Sequence, residues 1–171
     1  MPVAGDDGLL DAFDTTLRSG SFASQSFSGT GTLSITGGSL SNTLASSLGG
    51  LNLSGGAIGG TGSQTISGTL AWTGGSITGT GNTSTDILTI SGANGKTLSG
   101  GRVLNAVNTT WSGNIAANNN AMAISGGSVF NSSGSFVDSN TFDSAITRGN
   151  GGGTFNNLGS FTKQSATTTT I

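Results

Sequence analysis

The chain has no cysteine, histidine, glutamate or tyrosine, and only one proline. Without cysteine there are no disulfide staples and no thiolate metal sites, and the compartment stays open on that ground. General acid–base chemistry near neutral pH falls to seven aspartates, a poor inventory for an enzyme. Charge is scarce too: five Lys and Arg give a net charge of −2, with no basic patch to neutralise phosphates, so no nucleic-acid partner is expected. No apolar run approaches the roughly 20 residues that cross a bilayer, so no membrane insertion is expected. Met1-Pro-Val-Ala-Gly-Asp-Asp7 lacks a basic end followed by an apolar run; no signal peptide is visible, which fits a removed leader or a piece of a longer chain. With one proline, strands can run without losing ladder donors.

What is abundant is glycine, 32 residues of 171, with serine and threonine. A flexible Gly/Ser linker would show that composition. A linker, however, has no reason to space its bulky residues evenly. Here one phrase recurs: Leu33-Ser-Ile35-Thr-Gly-Gly-Ser-Leu40, Leu51-Asn-Leu53-Ser-Gly-Gly-Ala-Ile58, Leu70-Ala-Trp72-Thr-Gly-Gly-Ser-Ile77 and Met122-Ala-Ile124-Ser-Gly-Gly-Ser-Val129. Partial copies are Leu88-Thr-Ile90-Ser-Gly92 and Trp111-Ser-Gly-Asn-Ile115. Each alternates apolar and small polar residues, turns at glycine and returns to an aliphatic residue, which reads as strand, corner, strand. The position held by Ile35, Leu53, Trp72, Ile90 and Trp111 recurs after 18, 19, 18 and 21 residues. That interval predicts an all-β fold, a single-stranded parallel β-helix (β-solenoid) of about 18–25 residues per coil.

Residues 1–20 differ. Asp6, Asp7, Asp11 and Asp14 surround Leu9, Leu10, Phe13 and Leu17, a spacing that suits one face of a short helix with acids near its positive end. This segment is expected to be an N-terminal cap or helix over the first coil, its acids a solvated face and not a Ca²⁺ site. Residues 21–171 are the solenoid, Gly/Ser/Thr-rich to about 110 and Asn/Phe-rich after. Asn94-Gly95 is the clearest tight turn. Phe130-Asn-Ser-Ser-Gly134-Ser-Phe136 and Phe155-Asn-Asn-Leu-Gly159-Ser-Phe161 repeat one pattern 25 residues apart, and Leu104 to Trp111 is a looser version. In each, a left-handed residue (Gly134, Gly159 or Asn108) is expected before the next strand, and residues 138–143 and 149–153 are candidate extra loops. Thr167-Thr-Thr-Thr-Ile171 reads as a strand with no cap after it.

Thr69-Leu-Ala-Trp-Thr-Gly-Gly-Ser-Ile-Thr-Gly79, Lys96-Thr-Leu-Ser-Gly-Gly-Arg-Val-Leu-Asn105 and Gly153-Thr-Phe-Asn-Asn-Leu-Gly-Ser-Phe-Thr-Lys163 resemble the repeat language of very large secreted bacterial surface proteins. These are similar to the parallel β-helices of filamentous haemagglutinins and autotransporter passengers. The likeness covers residues 28–171 and not 1–20. It implies an extracellular or cell-surface stalk or adhesive fibre, and no catalytic residues carry over, because the matching positions are aliphatic, Gly, Ser, Thr and Asn.

Enzymes also use this fold, collecting acids and bases on one outer face. Outside the first segment there are only Asp86, Asp138 and Asp143, with Lys96, Arg102, Arg148 and Lys163 as cations. Asp138 and Asp143 are a possible carboxylate pair, but a solvated turn accounts for them. No catalytic, cofactor-binding or metal residue is expected, and no cofactor. Trp72 and Trp111 share the register of core aliphatics and are expected inside, not as carbohydrate-stacking platforms. The expected function is a structural or adhesive extracellular solenoid: a stalk, an adhesin segment or a fibre subunit that self-associates end to end through its open edges. The alternative is a binding module whose flat Ser/Thr/Asn face recognises glycan or ice. Thr30/Thr32 and Thr83/Thr85 do not recur at the coil period, which weakens the ice option.

Overall fold

A computed structural model describes residues 7–12, 14–113 and 121–171. The chain winds coil upon coil. The first coil holds β1 (Gly8–Asp11), β2 (Thr15–Leu17) and β3 (Ser21–Ser24); the second β4 (Phe27–Ile35) and β5 (Ser39–Asn42); the third β6 (Ser46–Leu53) and β7 (Ala57–Gly60). Then come β8 (Gln64–Trp72) with β9 (Gly75–Ile77), β10 (Asn82–Ile90) with β11 (Lys96–Leu98), and β12 (Val103–Trp111) with β13 (Ala121–Ile124). The last two coils are β14 (Ser128–Ser132), β15 (Ser135–Asp138) and β16 (Ser144–Arg148), then β17 (Gly153–Asn157), β18 (Ser160–Lys163) and β19 (Thr169–Thr170). Every strand pairing is parallel. One sheet runs β1-β4-β6-β8-β10-β12-β14-β17, with β2, β15 and β18 continuing it, and the other runs from β3 to β19 through the short strands. This is a parallel β-solenoid whose eight coils make about 7 turns from first to last, about 21 residues each.

Register explains the repeat. Leu17, Ile35, Leu53, Trp72, Ile90 and Trp111 are successive Cα partners and form one inward column. Leu33, Leu51, Leu70 and Leu88 form a second, and Ile58, Ile77, Leu98 and Ile124 a third on the opposite sheet. These columns are the core, and Trp72 and Trp111 are fully buried in it. Because the strand period is two, the residues between them face outward, so hydroxyls and amides line up on the skin. Turns lengthen at one corner: Ile35 to Leu40 is short, whereas Ile90 to Leu98 and Trp111 to Ile124 are progressively longer.

The corner glycines answer two demands. At Gly38, Gly56 and Gly75 φ is +75°, +65° and +80°, a region open to glycine. At their neighbours Gly37 and Gly55 the demand is space: a Cβ would lie 2.4 Å from Arg18 O and 2.5 Å from Thr36 O of the preceding coil.

Three expectations are corrected. Residues 8–17 are not a helix: β1 and β2 pair in parallel with β4, and Leu10 and Leu17 pack on the core while Leu9 points out. The open edge of β4 offers this segment backbone partners, which outweighs a short helical periodicity. Of its acids, Asp7 accepts from Ser26 Oγ at 2.6 Å and Asp14 from Thr32 N at 2.8 Å, tying the first coil to the second. Asp6 and Phe13 lie outside the described residues, as do Asn114 and Ile115 of the last partial copy. Second, the bend before β11 has its positive φ at Gly92 (+75°) and not at Asn94 or Gly95. Third, Asn108, Gly134 and Gly159 do not have positive φ. Gly134 and Gly159 are glycine for clearance: a Cβ would lie 2.8 Å from Val107 O and 1.8 Å from Gly134 O.

Candidate functional site

Chemistry-bearing side chains in this chain are few; Lys96, Arg102 and Asp138 turn inward, whereas Asp7, Asp11, Asp14, Arg18, Asp86, Asp143 and Arg148 are exposed. Asp138 follows Trp111 in the first core column, and Lys163 follows Asp138. The Asp138 carboxylate is fully buried. It accepts from Ser144 Oγ at 2.7 Å, from Asn140 N at 2.9 Å and Nδ2 at 2.7 Å, and from Thr169 Oγ1, and Lys163 Nζ lies 3.0 Å from it. Burial pushes its pKa up, but hydrogen bonds from Thr169, Ser144, the Asn140 backbone and Lys163 outweigh this and leave it below the ordinary value. The solvated-turn reading of Asp138 is thereby overturned. Asp143 alone stays exposed, accepting from Thr168 N at 2.8 Å, so the two acids form no carboxylate pair.

A second inward cluster runs along the axis near the corner between the two sheets. Asn42 Oδ1 accepts from Gln64 Nε2 at 2.8 Å, and Gln64 Oε1 accepts from Thr83 Oγ1 at 3.1 Å. Arg102, fully buried, donates Nε to Thr83 Oγ1 at 3.0 Å, one terminal nitrogen to the carbonyls of Gly60 and Gly62, and the other to Asn82 O. Its guanidinium therefore reaches down two coils, with no carboxylate partner among the described residues. Desolvation lowers its pKa to about 10. Lys96 stands in register between Gly75 and Met122, is buried, and donates Nζ to Gly92 O at 3.0 Å and Asn94 O at 2.8 Å. Desolvation lowers its pKa to about 8.

Outside, the surface is built of small polar columns. Asn105, Asn131 and Asn156 form an amide ladder with two Nδ2-to-Oδ1 bonds of 2.9 Å. At the corner after the long strands stand Thr36, Ser54, Thr73, Ser91, Ser112 and Ser139, each donating its backbone N–H to the coil below. The hydroxyls of Thr36, Ser54, Thr73 and Ser139 reach toward that same carbonyl at 3.3–3.5 Å. A shallow groove follows this column past Ser91, Gly92, Ser112, Gly113 and Ser139. Thr83 and Thr85 do not belong to any such face: both are buried.

Among the described residues no group of three or more acids, histidines or cysteines is placed to hold a metal ion, and no helix is long and apolar enough to cross a membrane. The residues that sequence reading underrated are Asp138, Lys96 and Arg102. A signal existed for the first: extending the Phe130–Phe136 and Phe155–Phe161 patterns by two residues sets Asp138 opposite Lys163. The fold class is a parallel β-solenoid with a skin mainly of hydroxyl and amide side chains and few charges. Comparison with family models, characterised proteins and solved structures found no match.

Proposed function

We propose that this chain is a structural or adhesive extracellular solenoid, a rigid stalk or fibre segment. The observation that carries this reading is where the reactive groups go. Asp138, Lys96 and Arg102 are buried and bonded to neighbouring coils or to the corner beside them, while the outside presents mainly Ser, Thr, Asn and glycine. Its exposed charges, such as Asp86, Asp143 and Arg148, are scattered and gathered into no group of acids that could hold a metal among the described residues. A skin of that kind suits a spacer, and its resemblance to the repeats of secreted surface proteins favours the same reading. The outer edges of β1–β3 and β17–β19 carry strand backbone flanked by half-buried Leu10, Leu17, Phe155 and Phe161, so copies stacking end to end would extend both sheets and cover apolar surface. Light scattering coupled to size exclusion, with electron microscopy of concentrated protein, tests this: rods that lengthen with concentration are expected, and compact monomers at every concentration would refute end-to-end assembly.

A second reading, glycan binding, rests on the groove along Ser91, Ser112 and Ser139. A glycan array tests it, with loss of signal expected on Ser112→Val.

A further inference from the structure

The bend between β10 and β11 joins two features that have no part in a spacer. Asn94 and Gly95 are exposed, and a side chain at Gly95 would meet nothing within 4 Å. The backbone N–H of Gly95 donates no hydrogen bond among the described residues, while its carbonyl accepts from Gly75 N at 3.1 Å. On the same peptide unit, the carbonyl oxygen of Asn94 accepts a charge-assisted bond of 2.8 Å from the buried Lys96 ammonium. No carboxylate among the described residues pairs with that ammonium.

We propose that Asn94 is a self-modification site, converted through a succinimide to aspartate and isoaspartate, with Lys96 activating the Gly95 amide. An amide anion places much of its charge on the carbonyl oxygen, and a cation bonded there stabilises it. Solvent hydroxide removes the Gly95 N–H proton, and the charge that appears on Asn94 O is held by Lys96 Nζ. Gly95 N then bonds to Asn94 Cγ. The Cγ–Nδ2 bond breaks, and Nδ2 leaves as ammonia after taking up a proton from water. Water opens the ring at either carbonyl. The net change is one water in and one ammonia out, with no oxidant or reductant. The product sets a carboxylate beside Lys96, supplying the counter-charge that the folded chain otherwise lacks there.

The chain carries its own control. Asn150-Gly151 is the other Asn-Gly pair, also exposed, and the carbonyl of Asn150 accepts from Gly126 N at 2.8 Å instead of from a cation. Peptide mapping by mass spectrometry during incubation at neutral pH reads the two sites side by side, conversion appearing as a gain of about one dalton. Asn94 is expected to convert faster than Asn150. Lys96→Met and Lys96→Gln, the second of which keeps a donor for the carbonyl without charge, are expected to slow Asn94 about tenfold, the factor carried by one unit of amide acidity, and to leave Asn150 unchanged. Loosening of the bend would speed conversion, so slowing cannot come from damage to the fold. Conversion at Asn94 no faster than at Asn150, or undiminished in both variants, overturns the proposal.

Discussion

Asp138 stands one rung beyond Trp111 in the same inward column, so a buried carboxylate continues a line that six coils fill with apolar side chains. Lys163, one rung further and 19% exposed, supplies its counter-charge at 3.0 Å. A pair in this position does not add stability relative to hydrocarbon, but losing one partner strands the other. Lys163→Met is expected to cost about 3 kcal/mol in urea unfolding at pH 7, and Asp138→Leu with Lys163→Met to recover most of it. A double variant no more stable than Lys163→Met would show that the carboxylate is needed for its bonds to Ser144 and Asn140 and not merely tolerated.

The same carboxylate sets the acid limit. Its folded pKa lies below the unfolded value of 3.8, so its contribution is present above the unfolded pKa and is lost as pH falls through the folded one. Melting temperature followed from pH 5 downward is expected to drop, and Asp138→Asn, which keeps the shape, to flatten that drop.

Lys96 and Arg102 act at the alkaline end, with the same sign of slope but because their charged forms are disfavoured. Burial lowers Lys96 to about 8 and Arg102 to about 10, so the folded state disfavours both charged forms. Between pH 8 and the unfolded lysine value of 10.5 the unfolded chain binds the proton that the folded chain has released, so stability rises with pH across that window. Thermal melts at pH 7.5 and 9.5 are expected to show it, and Lys96→Met to remove the lysine's part of the rise.

How far the sequence could be read follows from what each feature depends on. The column from Ile35 to Trp111 was legible because interior side chains stacked one strand spacing apart must match in kind, and matching leaves a period. Residues 8–17 were misread because Leu10 and Leu17 serve a helix face or alternate strand positions equally well, and only the presence of β4 decides. The inward turn of Lys96 and Arg102 was hidden by residue type: a charged side chain at a period position looks like a break in the column, although here it takes the place of Met122 or reaches along the axis. Glycine was over-read at Gly134 and Gly159, where the cause is the carbonyl of the next coil and not φ.

Arg102 spans coils that the strand ladders join only pairwise. Its side chain is bonded to Thr83 Oγ1 and to three backbone carbonyls, those of Gly60, Gly62 and Asn82. Lysine has one nitrogen where the guanidinium has a fork of three, so Arg102→Lys leaves buried acceptors without donors. A loss of about 2 kcal/mol is expected. Hydrogen exchange distinguishes this from a general effect: faster exchange should concentrate in residues 60–64 and 81–85, which the side chain clamps, and uniform acceleration along the chain would refute the clamp.

Coil stacking at its closest is tested by two glycines with ordinary φ. At Gly49 a Cβ would fall 1.8 Å from Thr30 O, a backbone atom that can move only if the coil below moves with it. Gly49→Ala is therefore expected to cost about 3 kcal/mol, the upper range for overpacking. At Gly95 the same methyl meets nothing within 4 Å, and fewer unfolded conformations should make Gly95→Ala stabilising by about 0.5 kcal/mol. Both are read by denaturant midpoint at constant slope. If the two variants proved equally stable, the coils would have to be spaced more loosely at Gly49 than this register allows, and the clearance argument for glycine at the other tight positions would fall with it.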